Sequence, residues 1–294
     1  METLQRLSTG VPGLDARLGG GLLPGTMTVL VGASGIGKTQ FGLQFLQQGL
    51  KDDGRRGIIM DMTARGDSQN HEDYAKRMFD WSLTPELPRG MFDPAAFFDP
   101  NMHLGDYFKA LSRQGKRVTR HDLDFDEWLD WKSDLTRHLD ATIAFLFGNF
   151  VRGTRRFVVD GIEPVSRQGD SIQFELLEYV YHQIVQKDPA WVARDLFRQH
   201  YRTWENAIEK HLYDRHRLGC MVLYTSPESS LETMIDKPME EGDLLAGANT
   251  IIYLGRVRDG IRFRKAMYVS KHRGSVCPDD ILLYDIDDSG IKLL

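Results

Sequence analysis

The eight-residue run GASGIGKT at 32–39 constrains this chain more than any other stretch of its sequence. It fits the spacing G-x-x-x-x-G-K-[ST], in which the glycines let consecutive backbone N–H groups turn inward around phosphate oxygens. The run before it, 27–31, is apolar and typical of a buried strand, and an apolar stripe typical of a helix follows it. The order strand, loop, helix is the one that such a phosphate-binding loop requires.

The loop predicts a site for ATP with Mg²⁺. In this pattern the lysine, Lys38, reaches the outer phosphates, and the hydroxyl of Thr39 is a metal ligand. A second metal ligand is expected to be a carboxylate that follows an apolar strand, and the run RRFVVDG offers Asp160 there. The predicted nucleotide-binding residues are Gly32, Ala33, Ser34, Gly35, Ile36, Gly37, Lys38 and Thr39.

Composition narrows the class of protein. The 294 residues are 41% hydrophobic, yet no apolar run approaches the roughly 20 residues that a membrane-spanning helix needs. We therefore expect a cytoplasmic protein that does not enter a membrane. Cys220 and Cys277 form neither a disulfide framework nor a zinc-spaced cluster. The net charge of -5 gives no overall attraction to nucleic acid, which argues against that class of partner.

The order of the predicted elements is α/β. Short apolar runs at 28–31, 57–62, 156–160 and 220–225 indicate strands buried on both faces of a parallel sheet, with helical patterns between them. From Thr250 onward the pattern changes to a hairpin around RDG, and a second strand pair around DSG closes the chain. No internal repeat is visible, so the sequence predicts one domain spanning 1–294.

Two segments, at about 70–140 and 181–217, look like insertions. The first is rich in aromatic residues, and we expect an acidic helix start with Phe125, Trp128 and Trp131 facing inward. In the second, apolar residues recur at steps of three or four and predict an amphipathic helix that packs on the domain's own core. A protein partner for these segments remains an alternative. The stripe consists of Phe197, Tyr201, Trp204, Ile208 and Leu212.

Both ends of the chain resemble a known family. The opening LSTGVPGLDARLGGGLLPGTMTVLVGASGIGKT and the closing AMYVSKHRGS with YDIDDSGIKLL are similar to KaiC-type domains of the RecA-like ATPase superfamily. The resemblance covers roughly 7–65, 155–165 and 218–294. It implies a RecA-like P-loop NTPase fold, with a twisted, mostly parallel sheet flanked by helices and C-terminal β-hairpins.

The resemblance also implies an assembly. KaiC-type domains bind ATP between neighbouring subunits of a ring, usually a hexamer, so we expect a homo-oligomer. The Lys and Arg of the family's K-x-R turn reach the next subunit's nucleotide, and they correspond here to Lys271 and Arg273. Two such cations would neutralise charge that spreads over the γ-phosphate, as an arginine finger supplied in trans does.

One departure from the family pattern concerns hydrolysis. RecA-like ATPases usually have a glutamate just past the second strand to orient the attacking water, and this chain has Thr63 and Ala64 at the matching positions. Because general-base catalysis is typically worth about 10² to 10⁴ in rate, hydrolysis should be slow or should use another group. Asp61, Glu163 and Asp67 are carboxylates that could take this part, and the sequence favours Asp61 and Glu163 equally.

Three functions follow from these residues. The first is a ring-forming, ATP-binding regulatory switch with slow or impaired hydrolysis. The second is a DNA-dependent ATPase of recombination or repair, against which the acidic segment 226–247 argues because it would repel phosphates. The third is a non-catalytic scaffold that keeps ATP as a structural ligand.

Overall fold

A computed structural model describes residues 5–63, 71–85, 97–99, 102, 104–110, 124–163, 172–236 and 247–294, with Trp128 and 131–138 described as backbone only. Nine strands form one sheet within these residues. They are β1 (Thr26–Gly32), β2 (Ile58–Asp61), β3 (Tyr107–Lys109), β4 (Arg156–Ile162), β5 (Gly219–Thr225), β6 (Thr250–Asp259), β7 (Arg262–His272), β8 (Leu282–Asp287) and β9 (Gly290–Leu293).

The strand order is β3-β2-β4-β5-β1-β6-β7-β8-β9. From β3 to β6 all neighbours are parallel, and from β6 to β9 they are antiparallel. This sheet confirms the predicted α/β class, the four parallel strands anticipated from the apolar runs, and both C-terminal strand pairs. The phosphate-binding loop leaves the carboxyl end of the central strand, which is where ligands bind in open α/β sheets.

Helices cover both faces of the sheet. They are α1 (Leu14–Arg17), α2 (Lys38–Asp52), α3 (His71–Phe79), α4 (Phe125–Val151), α5 (Ile172–Val180), α6 (Pro189–Phe197), α7 (Tyr201–Glu209) and α8 (Leu231–Asp236). Alternate residues of β1 point to opposite faces. Val29 and Val31 join the core beneath α4, α5 and α6, whereas Leu30 joins the core beneath α2. None of the described helices is both long and apolar enough to cross a bilayer.

The segment 70–140 contributes to the main sheet. Its strand β3 pairs in parallel with β2 and forms the sheet edge. Helix α4 begins after Asp124, whose side chain accepts a hydrogen bond from the backbone N–H of Glu127 and completes a capping box. The expectation that Phe125 faces inward is wrong, since this side chain is 74% exposed. The side chains of Trp128 and Trp131 lie outside the described residues.

The stripe in the second segment does not lie on one continuous helix. Helix α6 ends at Phe197, and Arg198 adopts φ 46, a left-handed conformation that ends the α-helical geometry before α7 begins. The predicted packing on the domain's own core is nevertheless confirmed for Phe197, Tyr201 and Ile208, which are buried. Leu212 lies beyond the end of α7 and is 38% exposed.

Candidate nucleotide site

The predicted phosphate-binding loop connects β1 to α2. Gly37 is the N-cap of α2, which begins at Lys38 and runs for 15 residues, so the loop leads directly into a helix N-terminus that favours anions. Ser34 and Gly35 are exposed, while Ile36 is buried and anchors the loop. Gly35 has φ 74, and a Cβ built on it meets no atom within 4 Å. The loop therefore has open space beside its backbone where a phosphate group could lie.

The last two strands, β8 and β9, form hydrogen bonds with this loop and with α2. The hydroxyl of Tyr284 donates a hydrogen bond to the carbonyl oxygen of Ile36 at 2.7 Å, and the Tyr284 side chain is fully buried. On α2, the Gln44 side chain accepts a hydrogen bond from the backbone N–H of Ile291 at 2.7 Å and donates one to its carbonyl at 2.9 Å. The C-terminal strand pair thus fixes both the loop and the helix that follows it.

Lys38 lies folded against its own loop. Its Nζ donates hydrogen bonds of 2.9 Å to the carbonyl oxygens of Gly32 and Ala33, and the residue is only 4% exposed. Burial lowers the pKa of Lys38 from 10.5 to about 8, and the negative charge of Asp160 opposes part of that effect. A buried ammonium group of this kind lacks a full hydration shell, and an anionic ligand would add a charge partner in direct contact with it.

Asp160 and Thr39 meet at the end of β4. The Thr39 hydroxyl donates a hydrogen bond to Asp160 Oδ2 at 2.8 Å, and the backbone N–H of Gly161 donates to Oδ1 at 2.7 Å. Both Asp160 and Thr39 are buried beside Lys38. A hydroxyl and a carboxylate are the hard oxygen donors that Mg²⁺ prefers, and Mg²⁺ usually takes only one or two such protein groups beside substrate phosphates. The donor set therefore fits the metal of a bound nucleotide.

A second carboxylate lies beside the first. Asp61 of β2 is the register partner of Asp160 in β4, and both are buried. Its Oδ1 accepts a hydrogen bond from the backbone N–H of Thr63 at 2.8 Å, and its Oδ2 accepts one from the Tyr107 hydroxyl at 2.5 Å. Both oxygens of Asp61 are thus occupied by protein donors.

His71 connects the two carboxylates and was not singled out from the sequence. Its Nε2 lies 3.0 Å from Asp160 Oδ2, and its Nδ1 lies 3.8 Å from Asp61 Oδ2. Burial by itself would lower the pKa of His71, but the hydrogen bond and charge of Asp160, together with the charge of Asp61, outweigh burial and raise it. A single histidine at a helix start carries no sequence pattern, so no signal in the chain pointed to it.

The other candidate base, Glu163, lies just beyond the end of β4. Glu163 is half-buried, and its backbone N–H donates to Gln173 Oε1 at 3.4 Å.

Thr63 is also half-buried, whereas Ala64 and Asp67 lie outside the described residues. Gly161, at φ 92, brings β4 so close to Thr63 that an added Cβ would lie 2.5 Å from the Thr63 nitrogen. The structure thus places Thr63, Asp61 and Asp160 at one end of two adjacent strands.

Lys271 and Arg273 lie far from the loop of their own chain. Lys271 pairs with Ile251, and the N–H of Arg273 donates to the carbonyl of Asn249, so both lie where β6 begins. Thr250 in turn pairs with Thr28, near the start of β1, whereas the loop follows Gly32 at its end. Thr28 and Gly32 are four residues apart in β1, which corresponds to roughly 13 Å along the strand. The two cations are therefore at the opposite end of the sheet from the nucleotide loop.

Comparisons with known proteins agree with this geometry. Residues 7–96 match the family model of the KaiC ATPase. A UPF0273 protein of Pyrococcus horikoshii is 30% identical over 138 residues, which are 47% of this chain and 51% of that protein. A UPF0273 protein of Thermotoga maritima is 32% identical over 162 residues, 54% of this chain and 56% of that protein. The chain thus spans about half the length of these curated relatives.

The fold itself is also found among solved structures. A KaiC-like protein from Pyrococcus horikoshii superposes with a TM-score of 0.53 at 15% identity, over 99% of this chain and 100% of that one. At that identity the likeness shows the fold alone. The chain is therefore similar to the KaiC ATPase over residues 7–96 and has the fold of this KaiC-like protein.

Proposed function

We propose that this chain binds ATP with Mg²⁺ and acts as a nucleotide-dependent regulatory switch within a ring of identical subunits. The observation that carries the proposal is the meeting of Lys38, Thr39 and Asp160, buried together where the loop enters α2. The Lys38 ammonium group would bind the outer phosphates. The Thr39 hydroxyl and the Asp160 carboxylate would hold Mg²⁺, which supplies charge neutralisation on the β- and γ-phosphates when bound.

Slow hydrolysis is part of this proposal. Thr63 cannot accept a proton from water as a carboxylate can, and Asp61 already accepts hydrogen bonds on both oxygens. Within the described residues the Glu163 carboxylate has no hydrogen bond or ion pair, so we retain Glu163 as the candidate base. A site that binds ATP tightly and releases phosphate slowly keeps the bound state long enough to act as a signal.

The proposed ring explains where Lys271 and Arg273 lie. Because they are at the far end of the sheet from their own loop, a role at the nucleotide requires that they act on a neighbouring subunit. Lys271 is half-buried and Arg273 is exposed, and burial together with the charge of Arg273 lowers the pKa of Lys271. Two adjacent cations of this kind would be stabilised by the anionic phosphates of a neighbour's ATP.

Two measurements test the proposal. Particle mass with and without ATP and Mg²⁺ should show a ring that depends on nucleotide, and a monomer under both conditions would contradict the switch. Steady-state phosphate release, with Lys38→Ala as the binding-deficient control, should be slow and unaffected by single-stranded DNA. Stimulation by DNA would favour the recombination ATPase, and no release at all would favour the scaffold.

A further inference from the structure

A row of polar groups, buried except for the half-buried Tyr107, runs from the phosphate-binding loop to the sheet edge. It passes from the Thr39 hydroxyl to Asp160, then to His71, Asp61 and the Tyr107 hydroxyl. His71 is the central member, with only 2% of its side chain exposed. Within the described part of the chain no group of such side chains has the geometry of a metal-ion cage. Hydrogen bonds join Thr39, His71 and Asp160 within this row, whereas His71 and Asp61 are joined only by a charge contact of 3.8 Å.

The direction of the His71 hydrogen bond follows from its partner. An ionised carboxylate only accepts hydrogen bonds, so the imidazole donates from Nε2 to Asp160 Oδ2. The other ring nitrogen, Nδ1, is buried and has no hydrogen-bond partner among the described residues, although it faces Asp61 at 3.8 Å. Burying a polar atom without a hydrogen bond costs free energy. Either the Nε2 hydrogen bond to Asp160 or the packing of the ring must offset that cost.

The donors that fix the Asp160 carboxylate include three groups of the described residues. Gly161 donates to Oδ1, and Thr39 and His71 both donate to Oδ2. Thr39 and Gly161 belong to the loop and to β4, whereas His71 is supplied by α3, which is 89 residues away from Asp160 in the sequence. Carboxylates near a metal depend on such hydrogen bonds for their orientation, and removal of one typically weakens metal affinity or activity about 10- to 100-fold.

We propose that His71 is a positioning residue for the divalent cation of the nucleotide site, an inference that rests on the proposed binding of ATP with Mg²⁺. By donating to Oδ2, His71 would hold the Asp160 carboxylate in the orientation in which it binds the cation. Loss of this donor weakens binding of the divalent cation. It leaves binding of metal-free nucleotide unchanged, because the hydrogen bond and ion pairs of His71 within the described residues go to Asp160 and Asp61 rather than to the loop or Lys38.

The test compares three substitutions that differ in whether the new side chain has a donor and in where that donor lies. His71→Gln places an amide nitrogen about as far from the backbone as Nε2 and can restore the donation to Asp160. His71→Asn places its amide nearer the position of Nδ1 and falls short of Asp160. His71→Leu keeps a similar volume without any donor.

The measurement is a titration of Mn²⁺, read from its electron paramagnetic resonance signal, into protein saturated with a non-hydrolysable ATP analogue. We expect the Mn²⁺ dissociation constant to rise about 10- to 100-fold in the Asn and Leu variants and to return to within about threefold of wild type in the Gln variant. Binding of the analogue in EDTA should be equal in all four proteins. Should the Leu variant not fold, the comparison of Asn with Gln decides alone.

Wild-type Mn²⁺ affinity in the Asn and Leu variants overturns the positioning role. A folded Gln variant that binds Mn²⁺ as weakly as the Asn variant also overturns it, since that result indicates that His71 acts through packing. A wild-type protein that binds the analogue neither in EDTA nor with Mn²⁺ refutes the proposed function itself, and the inference falls with it. The two failures are therefore distinguishable.

Discussion

The burial of Lys38 predicts an unusual dependence of stability on pH. In the folded chain the pKa of Lys38 is lowered from 10.5 to about 8, because the side chain is 4% exposed. One pKa unit corresponds to 1.36 kcal/mol, so the protonated side chain destabilises the nucleotide-free fold by about 3 kcal/mol at pH 7. Between pH 8 and 10.5 the unfolded chain binds more protons than the folded chain, and stability from this group therefore rises with pH.

Substitution of Lys38 by Met removes the titrating group. The variant loses two hydrogen bonds to the loop carbonyls, which affects its stability about equally at every pH. The informative quantity is therefore the difference in unfolding free energy between Lys38→Met and wild type. Between pH 7 and pH 10, the unfolding free energy of wild type should rise by about 2 to 3 kcal/mol relative to that of Lys38→Met.

Urea unfolding without nucleotide at the two pH values measures this shift. Lys51→Met is the matched control, since Lys51 lies exposed at the other end of the same helix. Its difference from wild type should change by less than about 0.5 kcal/mol over the same range, as for surface substitutions in general. If Lys38→Met and wild type gain or lose stability in parallel, Lys38 does not carry a buried charge and the description of the loop is wrong.

Three further substitutions test other parts of the structure. Arg156→Met should lower the unfolding free energy by about 3 to 5 kcal/mol, because the buried guanidinium pairs with carboxylates of α2 and its C-cap. Arg17→Met, which removes an exposed ion pair, should lower it by less than about 1 kcal/mol. Equal losses in urea unfolding would refute this contrast. Gly161→Ala should destabilise by at least about 1 to 3 kcal/mol, since it combines φ 92 with an approach of 2.5 Å to the Thr63 backbone, and a wild-type melting curve would contradict that. Arg273→Ala should bind ATP normally but lose turnover, so normal phosphate release would exclude its role in trans.

The fold was predictable where patterns are local. The loop, its strand and its helix lie within one short stretch, and each strand of the parallel sheet is a separate apolar run. The contact of Thr39 with Asp160 follows from topology, because parallel strands end at the same edge of a sheet. The edge strand β3 was missed because its three residues are too few to show an alternation of apolar and polar side chains.

The remaining features depend on tertiary contacts that no local pattern encodes. His71 contacts Asp160 across 89 residues of sequence, a separation at which no local pattern links the two residues. The break at Arg198 requires a left-handed backbone at a residue other than glycine, which the spacing of apolar residues does not reveal. Phe125 is exposed because it occupies the first turn of α4, ahead of the part of that helix that reaches the core.

The most direct test of this account is a calorimetric titration of ATP with Mg²⁺ into the folded protein. The account predicts a saturable heat that corresponds to one nucleotide per chain and that disappears in Lys38→Ala. No heat of binding from a sample whose cooperative unfolding shows it to be folded would contradict the account, as would equal heats from the wild type and the variant.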